Sequence, residues 1–174
     1  IPIDDKGNGA EVPVLWDNFF VQNFKGEKLI AVPLIIYPKS DICVLDVDGW
    51  AGEVATISSS FPPLGGRLVT SGAPQGSWGK WFTPYQEGVY FGLITGIDND
   101  HEDSVLMGTS IPGTRGMSGS GVYYRGKLVG VLTMVANKYE HNSYLVNPVD
   151  VHDLLAEADK KWHPSPKNTS PSPS

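Results

Sequence analysis

Between Trp16 and Val146 no apolar run lasts long before turn-forming residues break it. FKGEK, DVDGWAG, PPLGG, GIDNDHED, YYRGK and NKYEHN supply the Gly, Pro, Asn and Asp that let a chain reverse. A chain divided this way cannot build long helices, but short strands at regular spacing are what an all-β sandwich or barrel requires. The runs predict strands over Trp16 to Phe24, Lys28 to Tyr37, Ile42 to Val47, Gly52 to Ile57 and Arg67 to Ser71. Further strands are predicted over Val89 to Ile97, Ser104 to Ser110, Gly121 to Tyr124, Lys127 to Val135 and Ser143 to Val146. One helix is predicted at the end: Asn147 is placed to cap it, Pro148 to open it, and Val151, Leu154, Leu155 and Ala158 recur at helical spacing up to Trp162.

Composition narrows the function classes. The 174 residues include 20 Gly and 14 Pro but only 18% charged residues, with a formal charge of -6. Affinity for nucleic acid rests on Lys and Arg neutralising phosphates, so nucleic acid is not an expected partner. Cys43 is the single cysteine, which excludes an intrachain disulfide and the cysteine clusters of zinc sites; no metal or organic cofactor is expected. No apolar stretch approaches the roughly 20 residues of a membrane span. The last segment, HPSPKNTSPSPS, has almost nothing to bury and reads as a disordered tail or linker.

The segment GTRGMSGSGVYYRGKLVGVLT packs Gly116, Met117, Ser118, Gly119, Ser120 and Gly121 between two strand patterns. Glycines there let the backbone turn sharply and aim N–H groups at a developing oxyanion, as a nucleophilic serine needs. A Gly/Ser-rich β-turn would look the same in isolation. SDICVLDV places Asp41 at the head of a hydrophobic strand, 77 residues before Ser118. GRLVTSGAPQG and YFGLITGI read as paired strands between them, and SYLVNPVDVHDLL as a last strand feeding the helix.

Taken together and in this order, these segments resemble the chymotrypsin-like (trypsin-like) serine proteases over roughly residues 15 to 160, closer to the HtrA-like and viral branches than to digestive enzymes. The resemblance implies a double β-barrel with an incomplete first half over residues 1–60, a second barrel with the helix packed on it over 61–162, and a tail over 163–174. It implies peptide-bond hydrolysis of a polypeptide substrate through an acyl-enzyme on Ser118, with Asp41 orienting a catalytic histidine and the N–H groups of Gly116 and Ser118 forming the oxyanion hole. Met117 stands where digestive members carry an aspartate that pairs with a freed N-terminus, so that form of activation is not expected.

The family places its histidine upstream of the aspartate, and residues 1–40 contain none. His101, His141, His152 and His163 lie in polar turns, on the helix or in the tail, and neither Lys39 nor Lys127 is marked as a desolvated base. Only about four strands are predicted before Ile57, so the shortage falls where the histidine-bearing turn would lie. The expectation is a fragment of a longer protein, weak or inactive alone; the alternative is an inactive protease-fold module that binds extended peptides by strand addition. By the same resemblance the substrate pocket is walled by Pro112, Thr114, Thr133, Met134, Val135 and His141. Pro112 stands near the base, where Arg/Lys-specific relatives keep an aspartate. Met134 and Val135 suit small to medium apolar side chains, whereas Thr114 with His141 would suit Glu or Gln.

Overall fold

The computed structural model describes residues 20–23, 25–37, 40–50, 52–74, 84–95, 105–135 and 142–162. Three strands, β1 (Phe20–Gln22), β2 (Lys28–Tyr37) and β3 (Ile42–Val47), form an antiparallel sheet in that order. The β-branched and Leu-rich run of β2 suits a pleated, half-buried surface. Ala31 and Ile35 are buried, while Ile30, Val32 and Ile36 on the other face are exposed. Pro33 has no N–H to give the ladder, and the register with β3 slips between Pro33 and Ile35.

The predicted fourth strand of this half does not form. Residues 52–56 are in neither strand nor helix, and among the described residues the one pairing in this stretch is a parallel bridge between Ile57 and Leu128. There Ser58 N–H donates to the Leu128 carbonyl and Leu128 N–H to that of Thr56, both at 2.8 Å, which ties the connection to the second barrel rather than to the first sheet. Of the strand predicted from Trp16, residues 20–22 are paired and residues 16–19 lie outside the described set.

Six strands, β4 (Arg67–Ser71), β5 (Tyr85–Ile94), β6 (Leu106–Thr109), β7 (Gly121–Tyr124), β8 (Lys127–Val135) and β9 (Ser143–Val146), close into a barrel in the order β4-β5-β6-β9-β8-β7. Closure comes from the pairing of Val69 and Thr70 with Tyr123 and Val122. The interior is filled by Leu68, Tyr90, Met107, Ile111, Met117, Val122, Val129, Leu132 and Leu145. β5 begins four residues before the predicted Val89, because Tyr85 and Gln86 pair with Ser71 and Thr70. The polar look of YQEG hid that extension.

Helix α1 (Pro148–Trp162) forms as predicted. The Asn147 side-chain oxygen accepts from the Asp150 N–H at 3.0 Å, and its amide donates to the Val105 carbonyl at 2.9 Å, so one residue caps the helix and fastens it to the barrel. The helix was expected to lie on the second barrel. Instead its buried stripe, Leu154 and Ala158, packs with Ile35, Leu34, Tyr37, Ile42 and Val44 of the first sheet, and only a smaller contact reaches β8. That apolar sheet face offers more surface to cover than the outside of a closed barrel. Among the described residues an apolar cavity of about 580 Å³ remains between sheet and helix, lined by Val21, Leu34, Val44, Trp50, Leu155 and Trp162.

Tyr37, at the end of β2, lies beside Glu157 of the helix. The Glu157 carboxylate as acceptor, then partial desolvation, then the charges of Glu157, Asp153 and Asp150 push the phenol up to about 12 from 10.0. A raised pKa means the folded state favours the protonated phenol. The stabilisation is therefore full below pH 10 and fades as pH rises through 12. Tyr37→Phe should lower the melting temperature below pH 10, with the difference from the parent shrinking between pH 10 and pH 12. A difference that stays constant across that window would show that the hydroxyl contributes nothing through Glu157.

Candidate active site

The segment joining β6 to β7 is built around Met117. Its side chain is 1% exposed in the barrel core, so the residue after it is turned outward, and Ser118 is exposed. Two tight bonds fold the turn: Met117 N–H to the Thr114 carbonyl at 3.2 Å and Ser120 N–H to the Met117 carbonyl at 3.0 Å. Gly116 and Gly119, with φ of 92° and 88°, occupy the left-handed region on either side of Ser118, where a side chain would be strained.

Strand β8 then straps the turn down. Gly119 N–H donates to the Leu132 carbonyl at 2.7 Å and Leu132 N–H to the Ser120 carbonyl at 2.9 Å, and Ser118 Oγ donates to the Thr133 carbonyl at 3.0 Å. The N–H groups of Gly116 and Ser118 have no acceptor among the described residues. Ser120, the other serine of the cluster, is half-buried, and its Oγ lies so close over Gly72 that a side chain there would collide with it.

Asp41 is at the head of β3, as predicted, with φ of 49°. Its carboxylate accepts a hydrogen bond from Thr133 Oγ1. Thr133 therefore touches both candidates at once, Ser118 through its carbonyl and Asp41 through its hydroxyl. The sequence reading placed Thr133 only as a pocket wall, and nothing in a strand threonine 92 residues from Asp41 could have announced the contact. Asp41 is exposed. Its neighbour Cys43 is a poor rival nucleophile: although exposed overall, its thiol is pushed up by partial desolvation and then by the Asp41 charge, opposite to what a thiolate needs.

The other predicted pocket residues differ in exposure. Pro112 is exposed, Thr114 and Met134 are half-buried, the side chain of Val135 and all of His141 lie outside the described residues. The backbone beneath them is well held. Ile111 N–H bonds to Thr109 Oγ1 at 3.3 Å, Thr109 and Ser143 share a 3.0 Å bond, and Ser143 Oγ donates to the Ile111 carbonyl at 3.1 Å. Because Ser143 has one proton and gives it to Ile111, Thr109 must be the donor of the shared bond. Both hydroxyls are fully buried, so this closed ring fixes the residue just before Pro112.

His101, His141 and His163 also lie outside the described residues. His152, the one described histidine, is exposed on α1, its Nε2 3.0 Å from the Ser58 carbonyl oxygen. Lys127 is an exposed residue at the start of β8. Among the described residues no cluster of His, Cys, Asp and Glu could hold a metal ion, and no helix is long and apolar enough to cross a membrane.

The family model for the trypsin-like peptidase domain matches residues 3–131. No curated protein sequence matches the chain significantly. Among solved structures, an inactive mutant form of Rv3671c from M. tuberculosis H37Rv aligns at 18% identity with a TM-score of 0.65, covering 80% of this chain and 69% of that one. The HtrA-type protease AlgW with decapeptide aligns at 16% identity with a TM-score of 0.71, covering 81% and 44%. The serine endoprotease from Yersinia pestis aligns at 18% identity with a TM-score of 0.65, covering 82% and 49%. This chain thus spans between 44 and 69% of the length of those three. At such identities the likeness is one of fold, and it is the chymotrypsin-like fold that the closed barrel, the smaller sheet and the terminal helix build. With the match across most of its length, the chain belongs to the trypsin-like peptidase domain family.

Proposed function

We propose that this chain carries the nucleophile and the orienting aspartate of a serine endopeptidase, whose general base is a histidine contributed from the longer protein upstream of residue 1. The observation that carries this reading is that Thr133 holds Ser118 and Asp41 together, one through its carbonyl and one through its hydroxyl. Ser118 Oγ would attack the scissile carbonyl as the base removes its proton. The oxygen that gains charge would take the N–H groups of Gly116 and Ser118. The protonated base would then release the amine leaving group, and water would hydrolyse the acyl-enzyme by the same steps in reverse. Asp41 would hold the imidazole in the tautomer that accepts from Ser118.

Taken alone, the chain has Ser118 donating to a backbone carbonyl rather than to a base, which leaves it a weak nucleophile. The same observation favours a second reading, an inactive module that binds extended peptides beside β8. Turnover of a general protein substrate separates the two. The complete protein should cleave it, Ser118→Ala should lower the rate by about a millionfold, and Asp41→Asn by about ten-thousandfold. Equal, Ser118-dependent rates in the complete protein and in these 174 residues would place the base inside the chain. Binding without Ser118-dependent cleavage by the complete protein would establish the module.

Specificity follows from what lines the proposed pocket. Pro112, Thr114, Thr133 and Met134 offer no carboxylate to an incoming cation, and burying one without a partner is costly. Peptides should be cut after apolar or uncharged residues of small to medium size, with Lys and Arg disfavoured. A peptide library cut mainly after Lys or Arg would refute this pocket, and cleavage after Glu that disappears in His141→Ala would assign the Thr114 and His141 arrangement instead.

A further inference from the structure

We infer that Ser40 and Asp150 are positioning residues for Asp41, so that helix α1, rooted in the second barrel, sets the geometry of the aspartate carried by the first sheet. This rests on the role proposed for Asp41 above.

Asp41 sits between β2 and β3 with a left-handed backbone, which a non-glycine residue keeps only where its surroundings over-determine it. On one side the constraint is Thr133 Oγ1. On the other, the constraints come from α1. Ser40, next to Asp41, donates its hydroxyl to Asp150 Oδ2 at 3.1 Å, and Tyr37, at the end of β2, lies beside Glu157. Asp150 and Glu157 are seven residues apart, two helical turns, so one face of α1 presents both carboxylates to the chain that leads into Asp41.

Asp150 is itself immobilised. Its N–H is capped by Asn147, whose amide is bonded to the Val105 carbonyl just before β6. A continuous path of polar contacts and adjacent residues therefore runs from β6 through Asn147, Asp150, Ser40, Asp41 and Thr133 to Ser118. Docking the helix does not need the Ser40 bond, because Leu154 and Ala158 already bury against Ile35. The bond supplies direction instead. An ionised carboxylate only accepts, so the Ser40 hydroxyl must point at Asp150, and the residue beside Asp41 cannot rotate without breaking a charge-assisted hydrogen bond.

The test reads the far side of Asp41. In the 174-residue chain, the Thr133 hydroxyl proton is shielded by its bond to Asp41, and its exchange with solvent can be followed by nuclear magnetic resonance. Ser40→Ala and Asp150→Ala should each speed that exchange about tenfold, the change expected for losing roughly one net hydrogen bond. Ser40→Thr and Asp150→Asn, which keep a donor and an acceptor, should restore protection. Leu68→Ala, which weakens the barrel core on β4, a strand that does not pair with β8, should lower the melting temperature without this effect. Unchanged Thr133 exchange in Ser40→Ala and Asp150→Ala, or equal acceleration in Leu68→Ala, would overturn the proposal. In the complete protein, Ser40→Ala should lower kcat with KM unchanged. If Asp41→Asn leaves turnover intact there, the role of Asp41 falls while the exchange result still stands by itself.

Discussion

The docking of residues 117–120 onto β8 is the constraint on which the site depends. Burial of Met117 decides which way the chain faces, and the paired bonds between Gly119, Leu132 and Ser120 decide how far it stands from the barrel. An exposed serine on a mobile loop could not hold an attack geometry, because a displacement of about 1 Å can cost a hundredfold in rate. Here the loop is clamped at its core residue and along its edge. The strand that clamps it also delivers Thr133, the next residue along, to Asp41. Barrel packing and site geometry are therefore consequences of one set of contacts, and loosening β8 would disturb both.

The two halves of the molecule are unequal in a way that matters for function. The second barrel is closed, so every strand has two neighbours and its interior is filled. Among the described residues the first sheet has three strands and leaves Ile30 71% and Val32 51% exposed, forgoing much of the roughly 1.5–3 kcal/mol that each could contribute on burial. Asp41 belongs to this weaker half. What steadies it comes largely from the stronger one: Thr133 from β8, and Asp150 and Glu157 from α1.

Much of the fold was legible because alternation and turn chemistry are local signals. Strands β2, β3, β4, β7, β8 and β9 and helix α1 fall where apolar runs and Gly, Pro and Asn punctuation put them. The misses have physical causes. Residues 52–57 have strand-like composition but, among the described residues, pair only through Ile57, and Tyr85 to Gly88 look polar although they pair with β4, because the closure of a barrel is a long-range fact. Asp41 and Ser118 were visible through their flanking strands and glycines. The links between them were not, since Thr133 and Ser40 are ordinary hydroxyl residues whose partners lie 92 and 110 residues away. Short-range pattern identifies candidate groups; only the closed topology shows which of them share a contact.

The central claim is that Ser118 attacks a carbonyl whose oxygen is received by the N–H groups of Gly116 and Ser118. A crystal structure of the complete protein after reaction with a fluorophosphonate tests it most directly, because the phosphonyl group mimics the tetrahedral species in shape and charge. The account predicts a covalent bond from phosphorus to Ser118 Oγ, with one phosphonyl oxygen about 2.7–3.1 Å from both N–H groups. A bond to Ser120 or another residue, or an adduct on Ser118 whose oxygen points away from both N–H groups, would contradict it.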